Sequence, residues 1–169
     1  MRIAFVYDAV YPYKIGGVEK RIWEISRRLA RSGHEVHLFC MKLWEGPSDF
    51  FREGVHFHGV SRKLPFYIGK GGRRSIFPAM WFSIALLAPL LRNGKFDVID
   101  CQNFPYFPCF TSWAVSFARK TPLLITWNEV WGTYWFEYMG PTGFFGRYIE
   151  RLVITLTDHH CAISPTTRA

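Results

Sequence analysis

The sequence predicts an α/β domain, a doubly wound parallel sheet with helices on both faces and strand order 3-2-1-4-5-6. Three observations predict it. Residues 2–7, 35–40 and 122–127 are short apolar runs of the kind that strands buried on both faces make. Stretches with helical apolar spacing alternate with these runs, the pattern that right-handed crossovers join into one sheet. The turn Tyr11-Pro12-Tyr13-Lys14-Ile15-Gly16-Gly17-Val18-Glu19 then couples the first strand to the first helix.

Composition bounds what the fold can serve. A chain of 169 residues can bury one α/β core, and 49% hydrophobic with 18% aromatic residues excludes disorder. The net charge of +8 favours anionic company, whether phosphorylated ligands, acidic lipid or nucleic acid. Cys40, Cys101, Cys109 and Cys161 are scattered without a C-x-x-C, as free thiols in a reducing, cytoplasmic compartment would be. The N-terminus enters the first strand at once, which leaves no room for a leader.

In the first helix Val18, Ile22, Ile25 and Leu29 recur on one face, Glu24 and Arg28 pair on the other, and Gly33 closes it. Its N-terminus carries free N–H groups and the positive end of the dipole, and Gly16 and Gly17 let a phosphate or sugar approach the backbone. The same glycines would serve a plain turn, because neither Gly-x-Gly-x-x-Gly nor a P-loop lysine is present. Residues 35–40 form the second strand, Gly46-Pro47 and Ser48-Asp49 a loop, and residues 55–60 an alternating third strand. His56 and His58 share one face of that strand as a metal pair would, but no third ligand is in view and no metal is expected.

Residues 54–96 contain no Asp or Glu. Arg62, Lys63, Lys70, Arg73, Arg74, Arg92 and Lys95 lie there around the apolar run Leu64-Pro65-Phe66-Tyr67-Ile68. Such a stretch suits an anionic membrane surface, where each cation adds about 1 kcal/mol, or an ordinary solvated loop. Residues 76–91 are sixteen without a charge, short of a membrane span, and read as a half-buried helix with one face toward lipid. The fourth strand covers 96–101, a loop 102–108, a helix 109–119 and the fifth strand 122–127. Gly140-Pro141 opens a helix with Phe145, Ile149, Leu152 and Leu156 on one face. Residues 160–163 make a sixth strand, and Ser164-Pro165 starts one more helix. In such a sheet ligands lie at the carboxyl edge, which gathers residues 11–17, 102–106 and 128–131.

Several of these segments form an ordered set. Gly16-Gly17-Val18-Glu19 is followed by an Arg-rich helix closing on Ser32-Gly33-His34-Glu35-Val36, by Phe96-Asp97-Val98-Ile99-Asp100, by Thr126-x-x-Glu129, and by Asp158 with Ala162-Ile163-Ser164. Along essentially the whole chain this resembles the N-terminal half of family-4, GT-B-fold retaining glycosyltransferases. The resemblance implies that residues 1–169 are a Rossmann-like domain holding the acceptor, while a second domain outside this chain holds the nucleotide-sugar. It implies transfer of a hexose, with retention, to a lipid-linked or glycan acceptor at the inner face of a membrane, and no turnover by this chain alone.

On the same resemblance, Gly16 and Gly17 reach the donor phosphates, and Asn128 and Glu129 stand at the catalytic centre. Tyr11, Tyr13, Asn103, Tyr106 and Trp131 fall on the acceptor side, and Arg62, Lys63, Lys70, Arg73 and Arg74 on the membrane side. One departure matters: the family commonly has histidine where Asn128 stands in Thr126-Trp127-Asn128-Glu129. Asparagine donates and accepts hydrogen bonds but cannot take a proton. Glu129 either orients Asn128 or caps the next turn; Trp127, Trp131, Tyr134 and Trp135 either stack on sugar or lipid or pack the core. No cofactor is expected, since a helix dipole and basic groups can neutralise a diphosphate.

Two other classes compete. A dinucleotide-binding oxidoreductase needs an acid at the end of the second strand, where Phe39-Cys40-Met41-Lys42 stands. A non-catalytic glycolipid- or phosphate-binding module is permitted by Asn128 and the basic stretch. Nucleic acid is not an expected partner, because no recognition motif for it appears.

Overall fold

The computed structural model describes residues 1–65, 67–68 and 73–168. Seven strands form the main sheet: β1 (Arg2–Val6), β2 (Glu35–Lys42), β3 (Asp49–Arg52), β4 (Val55–Arg62), β7 (Val98–Gln102), β8 (Leu123–Trp127) and β9 (His160–Ala162). Between β4 and β7, the short strands β5 (Tyr67–Ile68) and β6 (Arg73–Arg74) pair antiparallel as a separate hairpin. The helices are α1 (Gly17–Arg31), α2 (Ile76–Arg92), α3 (Phe107–Arg119), α4 (Tyr134–Met139), α5 (Gly143–Ile154) and α6 (Pro165–Arg168).

The sheet order is β3-β4-β2-β1-β7-β8-β9. Its six parallel strands follow the expected 3-2-1-4-5-6 order, and β3 is an addition. The sequence reading left Asp49 in a loop, whereas Asp49–Arg52 pairs antiparallel with β4. The reason is local. Asp49-Phe50-Phe51-Arg52 lacks alternation, and the hairpin turns through Glu53 (φ 50°) and Gly54 (φ 84°) rather than an Asn-Gly or Asp-Gly pair.

Alternation along β1 sets the two core layers, because successive side chains point to opposite faces. Ile3 and Phe5 pack with Ile22, Trp23, Leu38 and Phe57 on the α1 side. Ala4 and Val6 pack with Phe39, Phe82, Leu86, Ile99 and Ile125 on the α2 and α3 side. The C-terminus of α1 turns through Gly33 (φ 85°), with Gly33 N–H donating to Ala30 O at 3.0 Å and His34 N–H to Leu29 O at 3.1 Å. That is a Schellman motif, which satisfies two orphan carbonyls.

Residues 134–139, which apolar spacing assigns to no element, form α4. Ile149 of α5 and Leu156 just after it pack against the core as expected, but the buried residues of α5 are Gly143, Gly146, Glu150 and Val153, and Phe145 is exposed. The face is rotated because two glycines allow α5 to approach Trp135: a Cβ at Gly146 would collide with the indole ring, and one at Gly143 with the Trp135 carbonyl. Apolar spacing cannot register a contact made by a missing side chain. No helix among the described residues is long and apolar enough to cross a membrane.

Candidate active-site cleft

The carboxyl ends of β1, β7 and β8 open onto a cleft of about 460 Å³. One wall is the start of α1, with Gly17, Val18 and Arg21; the other carries Asn128, Glu129, Trp131 and Phe104. The two glycines at the turn differ in role. Gly16 is the N-cap residue, with extended backbone, and a Cβ there would strike the Glu19 carboxylate folded back over it. Gly17 faces open space, so its backbone is what a ligand in the cleft meets. The free N–H groups and the dipole of α1 make this wall attractive to an anion. The Glu19 carboxylate is buried beside it and shares that end of the helix.

Arg21, one helical turn after Gly17, was not singled out by sequence. It lines the cleft, and its Nη1 is buried without a hydrogen bond among the described residues. Such a nitrogen is a poised anion donor, since burying an unpaired guanidinium N–H is costly. The signal was present in its spacing from Gly17, but Lys20, Arg27, Arg28 and Arg31 surround it in sequence.

A polar chain supports the opposite wall. Thr126 Oγ1 and Gln102 Nε2 donate to Asp100 Oδ1 at 2.7 and 3.0 Å, and Asn128 Nδ2 donates to Gln102 Oε1 at 3.1 Å. Burial pushes the Asp100 carboxyl up to about 6, against the opposing pull of these hydrogen bonds and of the Arg21 charge. With its amide group held by Gln102, Asn128 keeps Oδ1 as a buried acceptor lacking a partner among the described residues. An acceptor so placed can take a hydrogen bond from a hydroxyl.

Asn103 is fully buried and both ends of its amide are engaged. Its Oδ1 accepts from Asn128 N–H at 3.0 Å and its Nδ2 donates to Glu129 O at 2.8 Å. It therefore fixes the backbone of Asn128 and Glu129 instead of facing the cleft. Tyr106 is buried as well, its hydroxyl donating to Glu150 Oε1 at 2.9 Å. Burial and the Glu150 charge push that phenol well above its ordinary value. Tyr11 is half-buried against the α1-side core, and the Tyr13 ring packs tilted against Trp44 with centroids 5.5 Å apart; neither lines the cleft.

Glu150, also missed by sequence, holds the aromatic wall. Besides Tyr106 it accepts from Trp131 N–H at 2.8 Å, Gly132 N–H at 2.9 Å and Trp135 Nε1 at 3.2 Å. A carboxylate with four donors can remain buried. Trp131 is thereby set against Phe104, with centroids 5.4 Å apart and planes nearly parallel, and against Trp135 at 4.6 Å. Trp127 and Trp135 are core residues. Phe104 and Tyr138 line both the cleft and an adjoining apolar cavity of about 230 Å³ that also touches Tyr106, Phe145 and Ile149.

Among the residues read as membrane-facing, Arg62 and Lys63 are exposed at the carboxyl end of β4. Lys70 lies outside the described residues, as do the side chains of Arg73 and Arg74. The helix that follows shows an apolar outer face: Phe77 is 63% exposed and Ile84 70%, with Phe117 of α3 at 79%. His56 and His58 are not an isolated pair, for Glu35 and His37 adjoin them.

A doubly wound sheet whose carboxyl edge places an anion-attracting helix start opposite a polar and aromatic wall defines a Rossmann-like domain with a candidate ligand cleft. The chain belongs to Glycosyltransferase Family 4, whose profile matches residues 15–169. Comparison with curated protein sequences gives no match. Among solved structures, the crystal structure of Acinetobacter baumannii MurG is similar with a TM-score of 0.52 and 11% identity. That likeness, one of fold, covers 98% of this chain and 42% of the MurG chain.

Proposed function

We propose that this chain is the acceptor-side half of a two-domain retaining glycosyltransferase, one that moves a hexose from a nucleotide-sugar to a lipid-linked or glycan acceptor. The observation that carries this reading is the cleft in which Gly17 and Arg21 face Asn128, Glu129 and Trp131. A sugar leaving a diphosphate develops positive charge at its anomeric carbon and negative charge on the leaving oxygen. The N–H groups at the start of α1 and the Arg21 guanidinium suit that negative charge. Asn128 Oδ1 suits a hydroxyl of the sugar or acceptor, and Trp131 offers a face for a sugar ring. Asparagine in place of the family's usual histidine assigns this position to hydrogen bonding, because the amide takes no proton.

The apolar cavity beside the cleft fits an acceptor with a hydrocarbon part, and the outer face of α2 fits a membrane surface. The test is glycosyl transfer by the full-length protein with nucleotide-sugar and membrane lipids. Arg21→Ala should lower kcat/KM about 10- to 100-fold, the loss expected for one charge-assisted contact, and Asn128→His should retain activity. Activity unchanged by Arg21→Ala would remove the donor role of this wall.

A further inference from the structure

The opposite, amino-terminal end of the sheet holds a cluster with chemistry of its own. Parallel pairing sets His37 of β2 beside His56 of β4, and His58 follows on the same face. Glu35 Oε1 lies 2.9 Å from His37 Nε2, His37 Nδ1 lies 2.9 Å from His58 Nε2, and His58 Nδ1 lies 2.7 Å from Asp49 Oδ1. Three short contacts thus run between two carboxylates through two imidazoles. Two neutral imidazoles supply one N–H each, so two protons serve three contacts.

The tautomer that serves the shortest contact has His58 Nδ1–H donating to Asp49. His58 Nε2 then accepts from His37 Nδ1–H, and His37 Nε2 faces Glu35 Oε1 lone pair to lone pair. The nearby cation only partly fills this gap: Arg2 Nη2 stays 3.5 Å from His37 Nε2, while Arg2 Nε binds the other Glu35 oxygen at 3.0 Å. His56 adds a third donor. Its ring stacks on His37 at 4.7 Å, and ligand atoms of Glu35, His37 and His56 all lie within 4.8 Å of one another. Burial disfavours the charged form of both His37 and His58.

We propose that Glu35, His37 and His56 bind a divalent transition-metal ion of the zinc type, with the remaining coordination position open to water. Two imidazoles and one carboxylate favour zinc over magnesium or calcium, which take oxygen ligands. His58 and Asp49 form the outer chain that fixes the His37 tautomer and aims Nε2 at the ion. The ion ties β2 to β4 at the far end of the sheet from the cleft, independently of glycosyl transfer.

The test is calorimetric titration of the metal-stripped protein with Zn²⁺, with Co²⁺ as a visible-absorption probe. One equivalent should bind, and Co²⁺ should give the d–d bands of a low-coordinate nitrogen-ligated site. His56→Ala and Glu35→Gln should each weaken binding at least tenfold, and Asp49→Asn about 10- to 100-fold as an outer-chain loss. His56 is half-buried and Glu35 exposed, so far-UV circular dichroism should stay that of the wild type. Exposed His159 is the control, and His159→Ala should change nothing. Absence of Zn²⁺ binding, or binding unaltered by His56→Ala, overturns the proposal.

Discussion

Asp100 sits at the base of the chain that ends on Asn128, and its environment makes a pH prediction. Its folded-state carboxyl is raised from 3.8 to about 6 by burial. For a raised acid the penalty of ionising in the fold begins as pH climbs past the unfolded value and is complete above the folded one. Asp100→Asn keeps an oxygen to accept from Thr126 and Gln102. It should therefore stabilise the protein by up to about 3 kcal/mol at pH 7, with the gain vanishing toward pH 3.5. Denaturant unfolding of both proteins across that range checks it; a pH-independent difference would refute it. At this scale residue type was enough to single out Gly17, Asn128 and Trp131, which the fold brings to one cleft, whereas Gly16 lies beneath the Glu19 carboxylate. The sequence was illegible where function rests on a partner distant in the chain. Glu150 becomes the holder of Trp131 only once α5 lies against the loop, and Arg21 is one cation of many until the cleft leaves its Nη1 unpaired.

Among the elements, α2 departs furthest from an ordinary surface helix. It buries Phe82, Leu86 and Leu90 beneath and presents Ile76, Phe77, Met80, Trp81, Ile84 and Leu87 outward. Ser83 and Thr111 stitch it to α3, with Ser83 Oγ donating to Phe107 O at 2.8 Å and Thr111 Oγ1 to Ser83 O at 2.9 Å. Exposed apolar side chains gathered on one helix in this way mark a candidate interaction surface. On the membrane reading, Ile84→Glu together with Phe117→Glu should weaken binding to anionic vesicles at least tenfold without changing the fold, since both side chains are largely exposed. Equal vesicle binding by wild type and variant in a sedimentation assay would sink that reading. The uncharged run made α2 visible in the sequence, because a helix this apolar cannot be a solvated loop. The same method failed for β3 and found only part of the face that α5 and the turn after it bury, Ile149 and Leu156. There the deciding features were an atypical Glu53-Gly54 turn and two glycines packed on Trp135, neither of which leaves an apolar period.

At the scale of the molecule, alternation of apolar runs with helical spacing was enough to order the six parallel strands, because crossover handedness leaves few arrangements. That order alone places Gly17, Asn128 and Trp131 at one edge, although they are far apart in the chain. The site was thus legible as a location before its geometry was. The hydrogen-bond chain from Asp100 to Asn128 and the holding of the aromatic wall by Glu150 needed the fold. The most direct measurement is a crystal structure of the full-length protein with a nucleotide-sugar bound. The diphosphate is expected within about 2.7–3.2 Å of the backbone N–H of Gly17 and of the Arg21 guanidinium, with the sugar turned toward Asn128. A diphosphate bound without contact to either residue would contradict the assignment of this cleft to sugar transfer.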